Sequence, residues 1–171
     1  MRRQRAWRAL LAAAVSLAVL TAAEPRPMRP FNVTSFDGRN VSSESLKGSK
    51  VVLMFLATDC PHCQQTAQRL DPVYRDLRRD GLEIVGLTLN RIDNRGIREF
   101  ATRFGASFPI AISSRDEFSR ITGISVMTRI YYPYVLFVDR EGVIREEHQG
   151  FEQPWFDNLE ANFRSAVAAL P

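Results

Sequence analysis

Apolar positions along the chain follow two rhythms. From Val51 to Ala57 they are continuous and rich in β-formers, the pattern of a central strand covered on both faces. From Cys60 to Arg79 the period changes. Leu70, Val73, Tyr74 and Leu77 recur at helical spacing, Arg and Asp lie on the other side, and Gly81 is the stop. Pro72 inside this helix removes one backbone donor and is expected to bend it. LEIVGLTL, Leu82 to Leu89, returns to a strand. Strand, helix and strand joined by a crossover of about two dozen residues form a βαβ unit, which makes a right-handed parallel pair.

Ile97, Phe100, Ala101 and Phe104 mark a second helix ending at Gly105; FPIAI predicts a short strand and DEFSRITG a short helix. YVLFVDREGVIREEHQG gives two strands joined at Glu141-Gly142, an antiparallel hairpin. Pro154 is expected to open a last helix whose apolar face is Trp155, Leu159, Phe163, Val167 and Leu170. Nearer the N-terminus, FNVTSFDGRNV places an Asp37-Gly38 turn between two short strand-like pieces. A parallel βαβ first and an antiparallel ββα last describe an α/β fold, a mixed central sheet flanked by helices. There is no internal repeat and no low-complexity tract.

Residues 1–23 do not belong to that pattern. Arg2, Arg3, Arg5 and Arg8 precede a largely apolar run of 15 residues, Ala9 to Ala23, which ends in small side chains. This is the form of a secretory signal peptide, with cleavage expected after Ala23. The run is shorter than the roughly 18–20 residues that span a bilayer, so an uncleaved anchor is the alternative. No cysteine follows it, against a lipoprotein, and the head is a poor twin-arginine signal. The expected destination is extracytoplasmic, the periplasm. Glu24 to Pro30, with three prolines, reads as an extended tether, and residues 31–171 as one domain.

Removing the four arginines of the leader from a formal net charge of +4 leaves zero. The basic pI is therefore mostly an address, and nucleic-acid binding loses its electrostatic motive. Two cysteines in 171 residues are too few for a disulfide framework.

Those cysteines stand together as Cys60-Pro61-His62-Cys63, where the central strand ends and a helix begins. Unpaired N–H groups and the positive end of the helix dipole stabilise an anion there, which lowers the pKa of a thiol. Cys60, in the first turn, is expected to be the exposed attacking sulfur, and Cys63, one turn further in, the buried resolving one. Pro61 suits a first helical turn. His62, when protonated, adds positive charge beside the sulfur, whereas the carboxylate of Asp59 opposes it. A purely structural disulfide across one turn would restrain little of the unfolded chain. A zinc site wants four ligands, and only His148 could join Cys60, His62 and Cys63 from afar. His148 lies among charges in a strand-like segment and reads as part of a solvated face.

The block FDGRNVSSESLKGSKVVLMFLATDCPHC and the block YYPYVLFVDREGVI resemble the TlpA/ResA-like thiol–disulfide oxidoreductases of the redoxin group, which have a thioredoxin-like fold. The resemblance runs from about Phe31 to Gly150. It implies Cys60 as nucleophile, Cys63 as resolving thiol and Pro133 as a cis-proline packed beside the pair. It further implies that the backbone of Tyr132 pairs with a bound substrate strand. It implies no cofactor and no metal, disulfide- or dithiol-containing protein substrates, and a membrane electron donor or acceptor. Asp59 replaces the family's tryptophan, Thr66 stands where many members have a glutamate, and Met54 where thioredoxin has a buried aspartate. Cys-Pro-His-Cys has the dipeptide of the oxidant DsbA inside a frame that resembles reductases, so direction and potential stay open.

Two other functions compete. A peroxiredoxin-like peroxidase wants Thr three positions before its cysteine and an arginine nearby; here Thr58 is two before Cys60. A Sco-type copper chaperone spaces its cysteines as C-x-x-x-C and adds a distant histidine, for which His148 is the candidate. Tyr131, Tyr132 and Tyr134 around Pro133 read equally as strand packing or as a substrate-contacting rim. Asn32-Val33-Thr34 and Asn40-Val41-Ser42 fit the glycosylation pattern and read here as a polar edge.

Overall fold

A computed structural model describes residues 24–150, 152 and 154–171; the expected leader, residues 1–23, lies outside the described residues. The strands are β1 (Arg26–Pro27), β2 (Asn32–Thr34), β3 (Asn40–Ser42), β4 (Lys50–Leu56), β5 (Leu82–Thr88), β6 (Ile110–Ile112), β7 (Tyr134–Val138) and β8 (Val143–Gln149). The helices are α1 (Pro61–Leu77), α2 (Asn94–Phe104), α3 (Arg115–Thr122) and α4 (Leu159–Ala169). Six strands form one mixed sheet in the order β1-β8-β7-β4-β5-β6, and β2 and β3 form a separate hairpin.

The apolar run predicted as a central strand is β4, parallel to β5 on one side and antiparallel to β7 on the other. From Val51 to Leu56 no residue is more than 2% exposed, so both faces are covered. Because strand side chains alternate, the run divides between two cores. Val52, Met54 and Leu56 pack with Leu70 and Tyr74 of α1, Ile97 of α2 and Phe163 of α4. Val51, Leu53 and Phe55 pack with Phe118 and Ile121 of α3 and with Val33 and Val41 of the hairpin. Each fully buried side chain of this kind contributes about 1.5–3 kcal/mol relative to exposure, which fixes the end of β4 firmly in space. Both glycosylation-like triplets are the strands β2 and β3, with their valines buried and paired.

Helix α1 runs through Pro72; Pro72 and Gln68, whose carbonyl loses its helical donor there, are both exposed. Two expectations need correction. The tether is not wholly free: Arg26 and Pro27 pair with Ile144 and Val143 at the edge of β8. Arg26 also donates to Thr122 O at 3.0 Å and meets Glu147 at 2.5 Å. The last helix begins at Leu159 and not at Pro154, because the Pro154–Asn158 segment is used as turns. There Arg69 of α1 donates to Phe156 O at 3.1 Å and to Glu160 Oε1 at 2.7 Å, tying the start of α4 to α1.

Candidate active site

Pairing on both sides holds the end of β4, and the chain then turns sharply into α1. Cys60 occupies the cap position with extended backbone (φ −85°, ψ 118°), and Pro61 is the first helical residue. Cys60 N–H donates to Ala57 O at 3.1 Å. Asn90, just past β5, braces this turn: its carboxamide accepts the Thr58 N–H at 3.1 Å and donates to Thr58 Oγ1 at 3.0 Å. From within α1, Gln64 Nε2 donates to Thr58 O at 2.9 Å. The backbone leading to Cys60 is thus held by two amide side chains.

Both cysteines are free thiols; Cys60 is partly exposed and Cys63 is completely buried. The Cys63 S–H donates to the Cys60 sulfur, and this bond does most to lower the Cys60 pKa to about 6. Burial opposes the shift, while the backbone N–H groups of Cys63 and His62 and the charge of His62 reinforce it. Cys63 moves the opposite way. Its bond to Cys60 and its burial both push its thiol far up. The first proton lost from the pair therefore leaves its charge on the exposed sulfur.

Asp59 and His62 are both among the groups that set the ionisation of the pair. His62 is exposed and acts on Cys60, whereas the exposed Asp59 acts on Cys63, adding to its upward push.

The loop before β7 closes the other side of the pair. The Tyr132–Pro133 peptide bond is cis, Pro133 is buried and Tyr132 is half-buried. Burial raises the Tyr132 phenol; the charge of Arg115 opposes this, and those of Cys63 and Cys60 add to it, so the ring lies within electrostatic reach of both sulfurs. Tyr131 is exposed, whereas Tyr134 is strand packing, edge-on to Phe118 at 5.3 Å. A polar cavity of about 170 Å³ lies beside His62 and Pro133, with Thr66, Arg69, Gly150 and Asp157 also in its wall. On the opposite shoulder an open groove of about 240 Å³ runs past Thr58, Asp59, Phe100 and Arg103. Thr66 and Met54 are buried, and with a hydroxyl and a thioether at these positions neither supplies an acid to the pair.

His148 does not join the cysteines. Its ring nitrogens meet Glu152 Oε2 at 2.7 Å and Glu146 Oε1 at 2.6 Å, and its ring stacks on Trp155 at 4.1 Å. It belongs to a half-buried cluster and not to the solvated face expected of it. Among the described residues no group of three or more His, Cys, Asp or Glu side chains is arranged to hold a metal ion.

Sequence reasoning missed Asn90, Gln64 and Gly150. The two amides carry no local signature, since their partner Thr58 is chosen by the fold. The glycine directly after the β8 pattern was a visible signal, because a glycine there often marks close backbone approach.

The Redoxin family model matches residues 23–163. The chain is 26% identical over 117 residues to the thiol-disulfide oxidoreductase ResA of Bacillus thuringiensis (strain Al Hakam), a match covering 68% of this chain and 64% of that relative's length. It is 28% identical over 123 residues to the thioredoxin-like protein YneN of Bacillus subtilis (strain 168), covering 70% of this chain and 68% of the other. Its fold superposes with a TM-score of 0.70 on a thiol:disulfide interchange protein of the thioredoxin family from Chlorobium tepidum TLS, at 22% identity, covering 85% of this chain and 98% of that one. The fold is thioredoxin-like.

Proposed function

The chain belongs to the redoxin family, and from that premise we propose that it is a thiol–disulfide oxidoreductase whose exchanging pair is Cys60 and Cys63. The hydrogen bond between the two sulfurs is what supports the reading most, because it leaves the thiolate on the accessible atom and the proton on the buried one. The Cys60 thiolate attacks a substrate disulfide. One S–S bond forms to Cys60, the substrate S–S bond breaks, and the departing sulfur takes a proton from water. Cys63 then gives its proton to water and its thiolate attacks the Cys60 sulfur. The Cys60–substrate bond breaks as the Cys60–Cys63 disulfide closes, and the second substrate sulfur leaves as a thiolate that takes a proton from water. Two electrons pass to the substrate, and the oxidising direction runs the same steps backwards.

The geometry eases the second step. Once Cys60 is bound in the mixed disulfide its negative charge is gone, and with it one cause of the high Cys63 pKa. In this scheme Pro61 sets the first turn, His62 favours the thiolate, Asp59 tunes the pair through Cys63, and the Tyr132 backbone with Pro133 presents the substrate strand. Substrates are protein disulfides or dithiols outside the cytoplasm, and an electron donor or acceptor at the membrane resets the pair. No helix among the described residues is long and apolar enough to cross a membrane.

Reduction of insulin by the purified protein tests the reading. Cys60→Ser abolishes the activity, and Cys63→Ser accumulates mixed disulfides with substrate. Full activity in Cys60→Ser, or peroxide consumption with no dithiol substrate, refutes it. A glutathione redox titration of the wild-type pair then assigns the direction.

A further inference from the structure

The end of β8 closes over the Tyr132–Pro133 backbone. Gly150 donates its N–H to Pro133 O at 2.7 Å and to Tyr131 O at 3.4 Å. A Cβ at this position would lie 1.9 Å from Tyr132 O, so only glycine permits the approach. Glu152 folds back on the same turn: its N–H reaches Gln149 O at 3.1 Å, and its carboxylate accepts the Gln149 N–H at 3.1 Å.

That carboxylate also binds His148. With Glu152 on Nδ1 and Glu146 on Nε2, both ring nitrogens are satisfied as donors, which is the imidazolium. The ring lies nearly flat on Trp155 (4.1 Å, 19°) and edge-on to Phe137 at 6.3 Å. Among the described residues the charged groups facing it are Glu146 of β8 and Glu152; β7 and the segment before α4 present the aromatic Phe137 and Trp155.

We infer that His148 is a positioning residue for thiol–disulfide exchange: bridging Glu146 and Glu152 and stacked on Trp155, it pins Glu152 against Gln149 so that Gly150 fixes the Tyr132–Pro133 backbone on which a substrate disulfide is presented. The inference rests on the exchange function proposed above. It separates two tasks: the sulfur pair and the helix start make the nucleophile, and the His148 clamp sets the substrate platform. Loss of the clamp therefore weakens substrate capture and leaves the Cys60 thiolate as it was.

The test uses His148→Phe, which keeps the stacked ring and removes both N–H groups, and Glu152→Gln, which removes the charge of an exposed carboxylate and keeps an acceptor oxygen. Insulin reduction gives KM and kcat, and alkylation of Cys60 by iodoacetamide reports the nucleophile without a substrate platform. The expected result is a raised KM in both variants, by about tenfold or more in His148→Phe, which loses both charge-assisted hydrogen bonds, and by less in Glu152→Gln, which keeps an acceptor oxygen. The kcat and alkylation rate stay within about twofold of wild type. An unchanged KM overturns the inference, as does a parallel fall in kcat and alkylation. A wild-type protein that alkylates normally yet leaves insulin untouched rejects the exchange function, and the inference with it.

Discussion

Replacing Cys63 by alanine removes the hydrogen bond that does most to hold the Cys60 pKa near 6. A hydrogen bond to a charged group is worth about 1.5–3 kcal/mol, which corresponds to a rise of about one to two pH units. At pH 7 the thiolate fraction then falls from roughly nine-tenths to between about a half and a tenth. The reaction rate at that pH scarcely reports the change. A more basic thiolate is a better nucleophile, with a Brønsted coefficient of about 0.4–0.5, so its intrinsic reactivity rises by roughly three- to tenfold and offsets the lost fraction. The measurement must be the whole pH profile of iodoacetamide alkylation, or of ultraviolet thiolate absorbance, read at its midpoint. Cys63→Ser is the control, because its hydroxyl still donates to the Cys60 sulfur and keeps the midpoint low. A midpoint that stays near 6 in Cys63→Ala refutes the reasoning and assigns the shift to the backbone N–H groups at the start of α1.

Two further outcomes follow from the platform beside the pair. Gly150→Ala forces the Tyr132–Pro133 backbone to move, and it should lower stability to urea by about 1–3 kcal/mol and abolish insulin reduction while Cys60 still alkylates; unchanged stability contradicts the close approach. For His148, burial opposes the charged ring and the bonds to Glu146 and Glu152 outweigh it, so the folded pKa lies above the unfolded value of about 6.5. Its stabilisation is therefore complete below that unfolded value and is lost as pH rises through the higher folded one. Urea denaturation should show wild type ahead of His148→Phe by about 1 kcal/mol in mild acid, with the gap closing toward alkaline pH; a gap that widens instead contradicts the sign.

The elements that carry strong periodicity were legible because one local pattern dictates each of them. β4 could be read from seven apolar residues in a row, α1 from the spacing of Leu70, Val73, Tyr74 and Leu77, and the β7–β8 hairpin from two strand-like runs joined at Glu141-Gly142. Where a long-range partner chose the conformation, the reading failed. Arg26 and Pro27 form a strand only because β8 leaves an edge open to them. Pro154 looked like a helix start, yet Arg69 claims the Phe156 carbonyl, and Trp155 turns to cover His148.

By itself the sequence determined that two thiols stand where a buried strand meets a helix, since strand burial, helix spacing and the Cys-Pro-His-Cys order are all local facts. Tertiary structure decided how the charge is shared. Cys63 points inward to donate to Cys60, His62 is among the groups that lower the Cys60 pKa and Asp59 among those that raise that of Cys63, and Asn90 and Gly150 arrive from just past the distant strands β5 and β8 to hold the backbone around the pair. Electrostatic and hydrogen-bond partners are set by distance in space, and only the packed sheet brings positions 58 and 90, or 132 and 150, within reach of each other.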